Sequence, residues 1–162
     1  MLPLEGSSLQ IELEQTARNM GADLFGVADL VIAHDFISSQ GGEYLGKFPR
    51  AISIGVRLLD AVVDGLHWHE NLGVLFAYRG LYNSVNSNLD QIALILAKKI
   101  QDKGYHAFPI PASHTIDPNK MIGAISHKLP ANLSGLGWIG KNCLLITPDY
   151  GPRVRLATIL TD

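Results

Sequence analysis

The stretch from Asn71 to Lys103 limits the possible folds more than any other part of the chain. Leu75, Tyr78, Tyr82, Val85, Leu89, Ile92 and Leu96 recur at steps of three and four, which lines them up on one face of a helix. Gly104 stands where such a helix would end. At 1.5 Å per residue a helix of this length runs for about 50 Å, so the remaining elements must be arranged along it. Its centre, Asn83-Ser84-Val85-Asn86-Ser87-Asn88, is poor in helix formers. Those polar residues form either a solvated face or a face turned to a ligand.

The flanking segments predict a mixture of helices and strands. Ser7 and Gln10 fit a capping box, and Leu9, Leu13, Ala17 and Met20 follow at helical spacing, with Gly21 placed to end the helix. Leu24 to Val27 reads as a short strand. Ile52, Ile54, Val56 and Leu58 alternate with Ala51, Ser53, Gly55 and Arg57, a strand whose second face is small enough for close approach. Tyr105 to Ile110 reads as a strand ended by Pro109 and Pro111, and Ala112 to Lys120 as irregular. Cys143 to Thr147 and Val154 to Thr161 read as a final hairpin joined at Pro148-Asp149-Tyr150-Gly151. The fold class is therefore α+β, with a mixed or antiparallel sheet and one long helix over 71–103.

The 162 residues suffice for one domain with its own core, and neither a repeat nor a linker interrupts them. No apolar run approaches the ~20 residues of a membrane helix, and the first residues lack a secretory pattern. A single cysteine, Cys143, excludes an internal disulfide and any site built on several thiolates. A reducing, cytoplasmic location is the expectation. From Met1 to Gly46 seven acids face Arg18 alone, whereas from Pro118 to Ala157 five bases face Asp149 alone. A cationic region in an acidic chain suits an anionic ligand group; scattered surface charge is the plainer alternative.

Candidate chemistry gathers at Leu133-Ser134-Gly135-Leu136-Gly137-Trp138-Ile139-Gly140-Lys141-Asn142. Glycines admit close backbone approach, a lysine adds a point charge, and an indole adds a flat apolar surface. Asn142 follows Gly140-Lys141 where a phosphate-binding P-loop needs serine or threonine. The letters Gly135-x-Gly137-x-x-Gly140 match a dinucleotide fingerprint, but they lead into a strand where that fingerprint opens a helix. A glycine-rich turn carrying a core tryptophan is the alternative. Cys143 is expected to be a buried strand-start residue before it is a nucleophile. His67 and His69 could share a face toward a metal or stand in an exposed loop. His114 and His127 could titrate near neutral pH or serve packing.

The run from Gly135 to Asn142, the following Leu144-Leu145-Ile146 and the closing Leu160-Thr161-Asp162 resemble the cobalamin-binding domain of epoxyqueuosine reductases. The wider group includes corrinoid-dependent reductive dehalogenases. Gly21-Ala22-Asp23-Leu24-Phe25-Gly26-Val27-Ala28 and Phe48-Pro49-Arg50-Ala51-Ile52-Ser53-Ile54-Gly55 fit the same order, so the resemblance spans nearly the whole chain. It implies a nitroreductase-like fold, residues 1–162 as a single cobalamin-binding domain, and cofactor contacts from Gly135, Gly137, Trp138, Gly140, Lys141 and Asn142. It further implies that a ferredoxin-type segment with two [4Fe–4S] clusters, spaced Cys-x2-Cys-x2-Cys-x3-Cys-Pro, follows Asp162 in the parent protein.

On this resemblance the chain is part of an iron–sulfur, cobalamin-dependent reductase, fed by its own or a separate ferredoxin-like electron donor. The substrate is then a small molecule or a nucleoside. The family's Asp-Thr-Ala-Pro signature is missing, Asp117 is only the nearest acid, and Ser126-His127-Lys128 follows it, so tRNA is not the favoured partner. The proton donor is sought among His127, Asp117 and, as in dehalogenases, Tyr82, in that order. The alternatives are a flavin (FMN) oxidoreductase domain and a binding domain without turnover.

Overall fold

The structure is a computed structural model and describes residues 8–113, 119 and 123–162. Ser7 of the expected capping box, His114 and Asp117 lie outside the described residues.

Helix α1 (Ser8–Asn19) buries Leu13 and Ala17 and ends at Gly21. Strand β1 (Leu24–Asp29) follows, then a 3-10 turn (Val31–Ala33) and the short helices α2 (His34–Gly41) and α3 (Glu43–Gly46). Strand β2 (Arg50–Arg57) leads to α4 (Asp60–Asp64), a second 3-10 turn (Gly65–Trp68) and α5 (Leu72–Asp102). The Asn71 side chain caps α5 by accepting from the Gly73 N–H at 2.8 Å. After α5 come β3 (Ala107–Ile110), α6 (Lys128–Leu133), β4 (Trp138–Ile139), β5 (Leu145–Ile146) and β6 (Val154–Thr161).

The main sheet has the order β1-β2-β6-β3, and every pair in it is antiparallel. The α+β class and the long helix are as the periodicity predicts. One face of the sheet carries Phe25, Ile52, Ile54, Ala157 and Ile159, covered by Leu13 and Ala17 of α1 and by Val85, Leu89, Ile92 and Leu96 of α5. On the other face Gly26, Ser53 and Gly55 provide the expected close approach. A Cβ on Gly26 would stand 2.7 Å from Ser134 Oγ, directly after α6. Ala131, Leu145, Val154 and Leu156 form a smaller core on that side, and Leu30, Ile37, Leu45, Ile110 and Leu160 a third.

The final hairpin is not made. The turn itself forms, with Thr147 bridged to Gly151, but β5 pairs with β4 and β6 pairs with β2 and β3. The eight-residue ladder that β2 offers to β6, Arg50↔Thr161 to Arg57↔Val154, far outweighs what a two-residue strand could supply. Cys143 is also corrected: it is exposed, at φ +60° in the tight turn between β4 and β5, and not buried at a strand start. His67 and His69 are exposed and lie in or just after the second 3-10 turn, so they do not share a strand face. Among the described residues no cluster of three or more His, Cys, Asp or Glu could hold a metal ion, and no helix is long and apolar enough to cross a membrane.

Candidate functional site

Three chain segments converge at the open end of β6. Strand β3 pairs with β6 only over Thr158 to Thr161, so the remainder of that edge, Val154 to Ala157, is left uncovered on the β3 side by the described strands. A cavity of about 300 Å³ lies there, lined by Ser126, His127, Lys128, Leu144, Leu145, Pro152, Val154, Arg155 and Leu156. Its floor is apolar and its cations are Lys128 and Arg155.

The glycine-rich segment forms a small β4–β5 hairpin beside this cavity, with Trp138↔Ile146 and Ile139↔Leu145 as partners. Its glycines have reasons inside the chain. Gly135 ends α6 at φ +78°, where Leu136 N–H bonds back to the Ala131 carbonyl at 3.0 Å. A Cβ on Gly137 would stand 2.2 Å from the Ile146 carbonyl oxygen, so only glycine lets β4 approach β5 this closely. Asn142 accepts from Leu144 N–H at 3.1 Å and shapes the turn, and Lys128 Nζ donates to the Cys143 carbonyl at 2.6 Å, holding the turn to α6. Trp138, Ile139 and Leu144 keep about half their surface exposed (54%, 46% and 46%). With exposed Lys141 they form an outward apolar and cationic rim. Leu144 and Leu145 reach the cavity wall; Trp138 and Lys141 are not part of its lining.

His127 lines the same cavity but is held at both ring nitrogens. Pro111 O can only accept, so Nε2–H donates to it at 3.1 Å, and Nδ1 then accepts from the Thr158 hydroxyl at 2.9 Å. Burial pushes its pKa below the ordinary histidine value, and Arg155 adds to the shift against the opposing effects of the Pro111 bond and Asp90. At neutral pH the ring is therefore neutral, with its proton directed at a backbone carbonyl. The unfolded chain takes up this proton first as pH falls, so the contribution of neutral His127 to stability is fully present above about 6.5 and is lost below it. Between pH 7 and pH 5 the denaturation midpoint is expected to fall, and His127→Gln to reduce that slope. An identical slope in the variant would show that His127 is not the group responsible.

The long helix supplies a second group of side chains. Tyr82, Asn86 and Asp90 succeed one another on one line of α5, and each is engaged. Tyr82 Oη lies 3.1 Å from Ser113 Oγ, Asn86 Oδ1 accepts from Arg155 Nε at 3.2 Å, and Asp90 Oδ1 accepts from Ala112 N–H at 2.7 Å. The Arg155 guanidinium sits 4.2 Å from the centroid of the Tyr82 ring. Arg155 has no carboxylate within ion-pair distance among the described residues, whereas Arg153 two positions earlier is paired with Asp60 and Asp64. Arg155 thus connects the cavity to Tyr82. The sequence reading left it out of the site, although strand alternation places it on the same face as Ala157 and Ile159, toward α5. A lone arginine on the inward face of a strand is the signal that could have singled it out. The polar centre of α5 divides the same way: Asn86 and Asn88 make tertiary bonds, the latter to Met20 O at 3.1 Å, while Asn83, Ser84 and Ser87 are exposed.

No known family profile matches the chain. It is 32% identical over 71 residues to an epoxyqueuosine reductase of Bacillus cereus, covering 43% of this chain and 18% of that protein. It is 34% identical over 76 residues to a tetrachloroethene reductive dehalogenase of Desulfitobacterium hafniense, covering 47% of this chain and 12% of that one. The chain therefore spans less than a fifth of the length of these relatives. A reductive dehalogenase structure described for B12-dependent dehalogenation superposes with a TM-score of 0.67 at 14% identity, over 98% of this chain and 22% of the other. An epoxyqueuosine reductase solved with an epoxyqueuosine-modified tRNA stem loop gives 0.57 at 16%, over 94% and 45%. At these identities the superpositions establish the shared fold. Local sequence identity and a fold common to nearly the whole chain agree: in both, the chain is similar to the epoxyqueuosine reductases and the reductive dehalogenases.

Proposed function

We propose that this chain is the corrinoid-holding part of a cobalamin-dependent reductase. The observation that carries the reading is the outward rim of Trp138, Ile139, Leu144 and Lys141 beside a cavity with an apolar floor and the cations Lys128 and Arg155. Such a surface suits a large amphipathic ligand that bears an anionic group. A space of about 300 Å³ accepts a cofactor side chain or a small substrate but not a whole macrocycle. A second wall must then come from beyond the described residues, in keeping with the short span of the relatives that this chain covers. The glycines act indirectly, by letting the hairpin form; Trp138, Ile139 and Lys141 make the contacts, and Asn142 fixes the turn between them.

When bound, the cofactor supplies reducing electrons at its cobalt, delivered by an iron–sulfur donor in the parent protein or a separate ferredoxin-like partner. This chain's part is to exclude water and to provide a proton. Tyr82 is the favoured donor, because its hydroxyl is not spent on a backbone carbonyl and the Arg155 guanidinium over its ring stabilises charge left on the phenolic oxygen. His127, with its proton on Pro111 O, positions the wall of the cavity, and Asp117 remains a candidate outside the described residues. The substrate is a small molecule or nucleoside with a reducible carbon centre. The cytoplasm is the expected compartment.

The test is reconstitution with cobalamin and, separately, with FMN, read by absorption spectroscopy, since the two chromophores differ. Cobalamin should bind. Lys141→Ala should weaken binding by roughly ten- to a hundredfold, corresponding to the ~1.5–3 kcal/mol of a charge-assisted contact. Binding of FMN alone would replace the corrinoid with a flavin, and binding of neither would favour a domain without turnover. Unchanged cobalamin affinity in folded Lys141→Ala would remove Lys141 from the site.

A further inference from the structure

The side of α5 that faces the sheet is filled by Val85, Leu89, Ile92, Leu96 and Ile100. The opposite side is exposed and shows Leu72, Phe76, Gly80, Asn83, Ser87 and Leu94 at helical spacing. Leu72 and Phe76 are 81% and 80% exposed. Between Leu72 and Leu94 the only charged residues are Arg79 and Asp90, and Asp90 turns toward Ala112. A helix face in water normally carries charge opposite its apolar stripe, and over more than five turns this one has only Arg79, at its edge three residues on from Phe76.

We infer that this face is the contact between two copies of the chain. A two-fold interface sets the same patch of each copy against the other, residue i meeting j and j meeting i. A patch rich in one sign of charge therefore repels itself, while a face of small and apolar residues with one arginine at its edge is largely self-complementary. The small residues Gly73, Ala77, Gly80, Ser84 and Ser87 are spaced almost evenly about Gly80. An axis there lays the two helices antiparallel and sets Phe76 of each copy against Ser84 of the other. The exposed parts of Leu72, Phe76 and Leu94 offer roughly 400 Å² per copy, and the small residues between them extend this toward the ~800 Å² per partner of a standard interface. With Arg79 as its one charge, the face has little to attract or orient a charged protein partner. Among the described residues nothing accounts for Gly80, since a Cβ there would meet none of their atoms within 4 Å, although alanine is the better helix former.

This contact does not depend on the cofactor, and light scattering on the purified chain tests it. The wild type should show twice the 17.6 kDa chain mass at micromolar and higher concentrations. Gly80→Arg and Phe76→Glu should each give the monomer with unchanged helical circular dichroism, because both positions are open within one copy. A wild type that stays monomeric throughout overturns the inference, whether the face is then found to take lipid vesicles or another polypeptide segment. A dimer that survives both substitutions overturns it as well, because the contact then lies elsewhere.

Discussion

Tyr82→Phe should lower the turnover of the cobalamin-loaded protein by about 10²–10⁴-fold, the usual contribution of a positioned proton donor. Cofactor affinity should hardly change. The phenylalanine ring keeps its place under the Arg155 guanidinium, and only the hydroxyl beside Ser113 is removed. Single-turnover product formation with saturating substrate separates this from weakened binding, since a donor acts on the chemical step. An unchanged rate would return the role to Asp117 or His127. The comparison with His127→Gln is informative because that ring already donates to Pro111 O. A positioning group should alter the substrate KM more than the rate of the proton-transfer step.

Leu96→Ala should cost about 2–5 kcal/mol of folding stability, the range for removing a fully buried leucine and leaving a cavity. Leu96 has no exposed surface and packs in the cluster with Leu89, Ile54 and Ile159, where α5 meets the sheet. The loss should appear as a lower denaturant midpoint at unchanged m-value. A loss below about 1 kcal/mol would mean that α5 does not pack on the sheet as described, since rigid cores do not close over a missing isobutyl group so cheaply.

What could be read from the sequence was local. The repeat from Leu75 to Leu96, with Asn71 before it and Gly104 after it, located α5 to within a residue at each end. The alternation around Ile52 and Ile54 located β2, and the small residues Ser53 and Gly55 marked the face that α6 approaches. Pairing was not legible, because it depends on which strand offers the longest ladder. The turn at Pro148–Gly151 formed as expected, yet β6 was taken up by β2, a hundred residues away at Arg50↔Thr161. The same limit applied at the site. The glycines of the Gly135–Gly140 run were conspicuous, but that Gly137 is required by the Ile146 carbonyl emerges only when β4 lies on β5. Arg155 draws its interest from Tyr82 and Asn86 on a distant helix. Cys143 stood at an apparent strand start, and nothing in its neighbours announced a left-handed backbone.

The position of β6 has a consequence for synthesis. The strand that joins β2 to β3 is Val154–Thr161, so a ribosome must add about a hundred residues after β2 before the sheet can close. Until then β2 lacks one neighbour, β3 lacks its pairing strand, and the apolar stripe of α5 has only part of its platform. Pairings this distant in sequence close slowly, because the loop entropy must be overcome before the contacts form. The nascent chain therefore carries open strand edges until β6 has been made, the condition in which holding chaperones are useful and in which neighbouring nascent chains can pair wrongly.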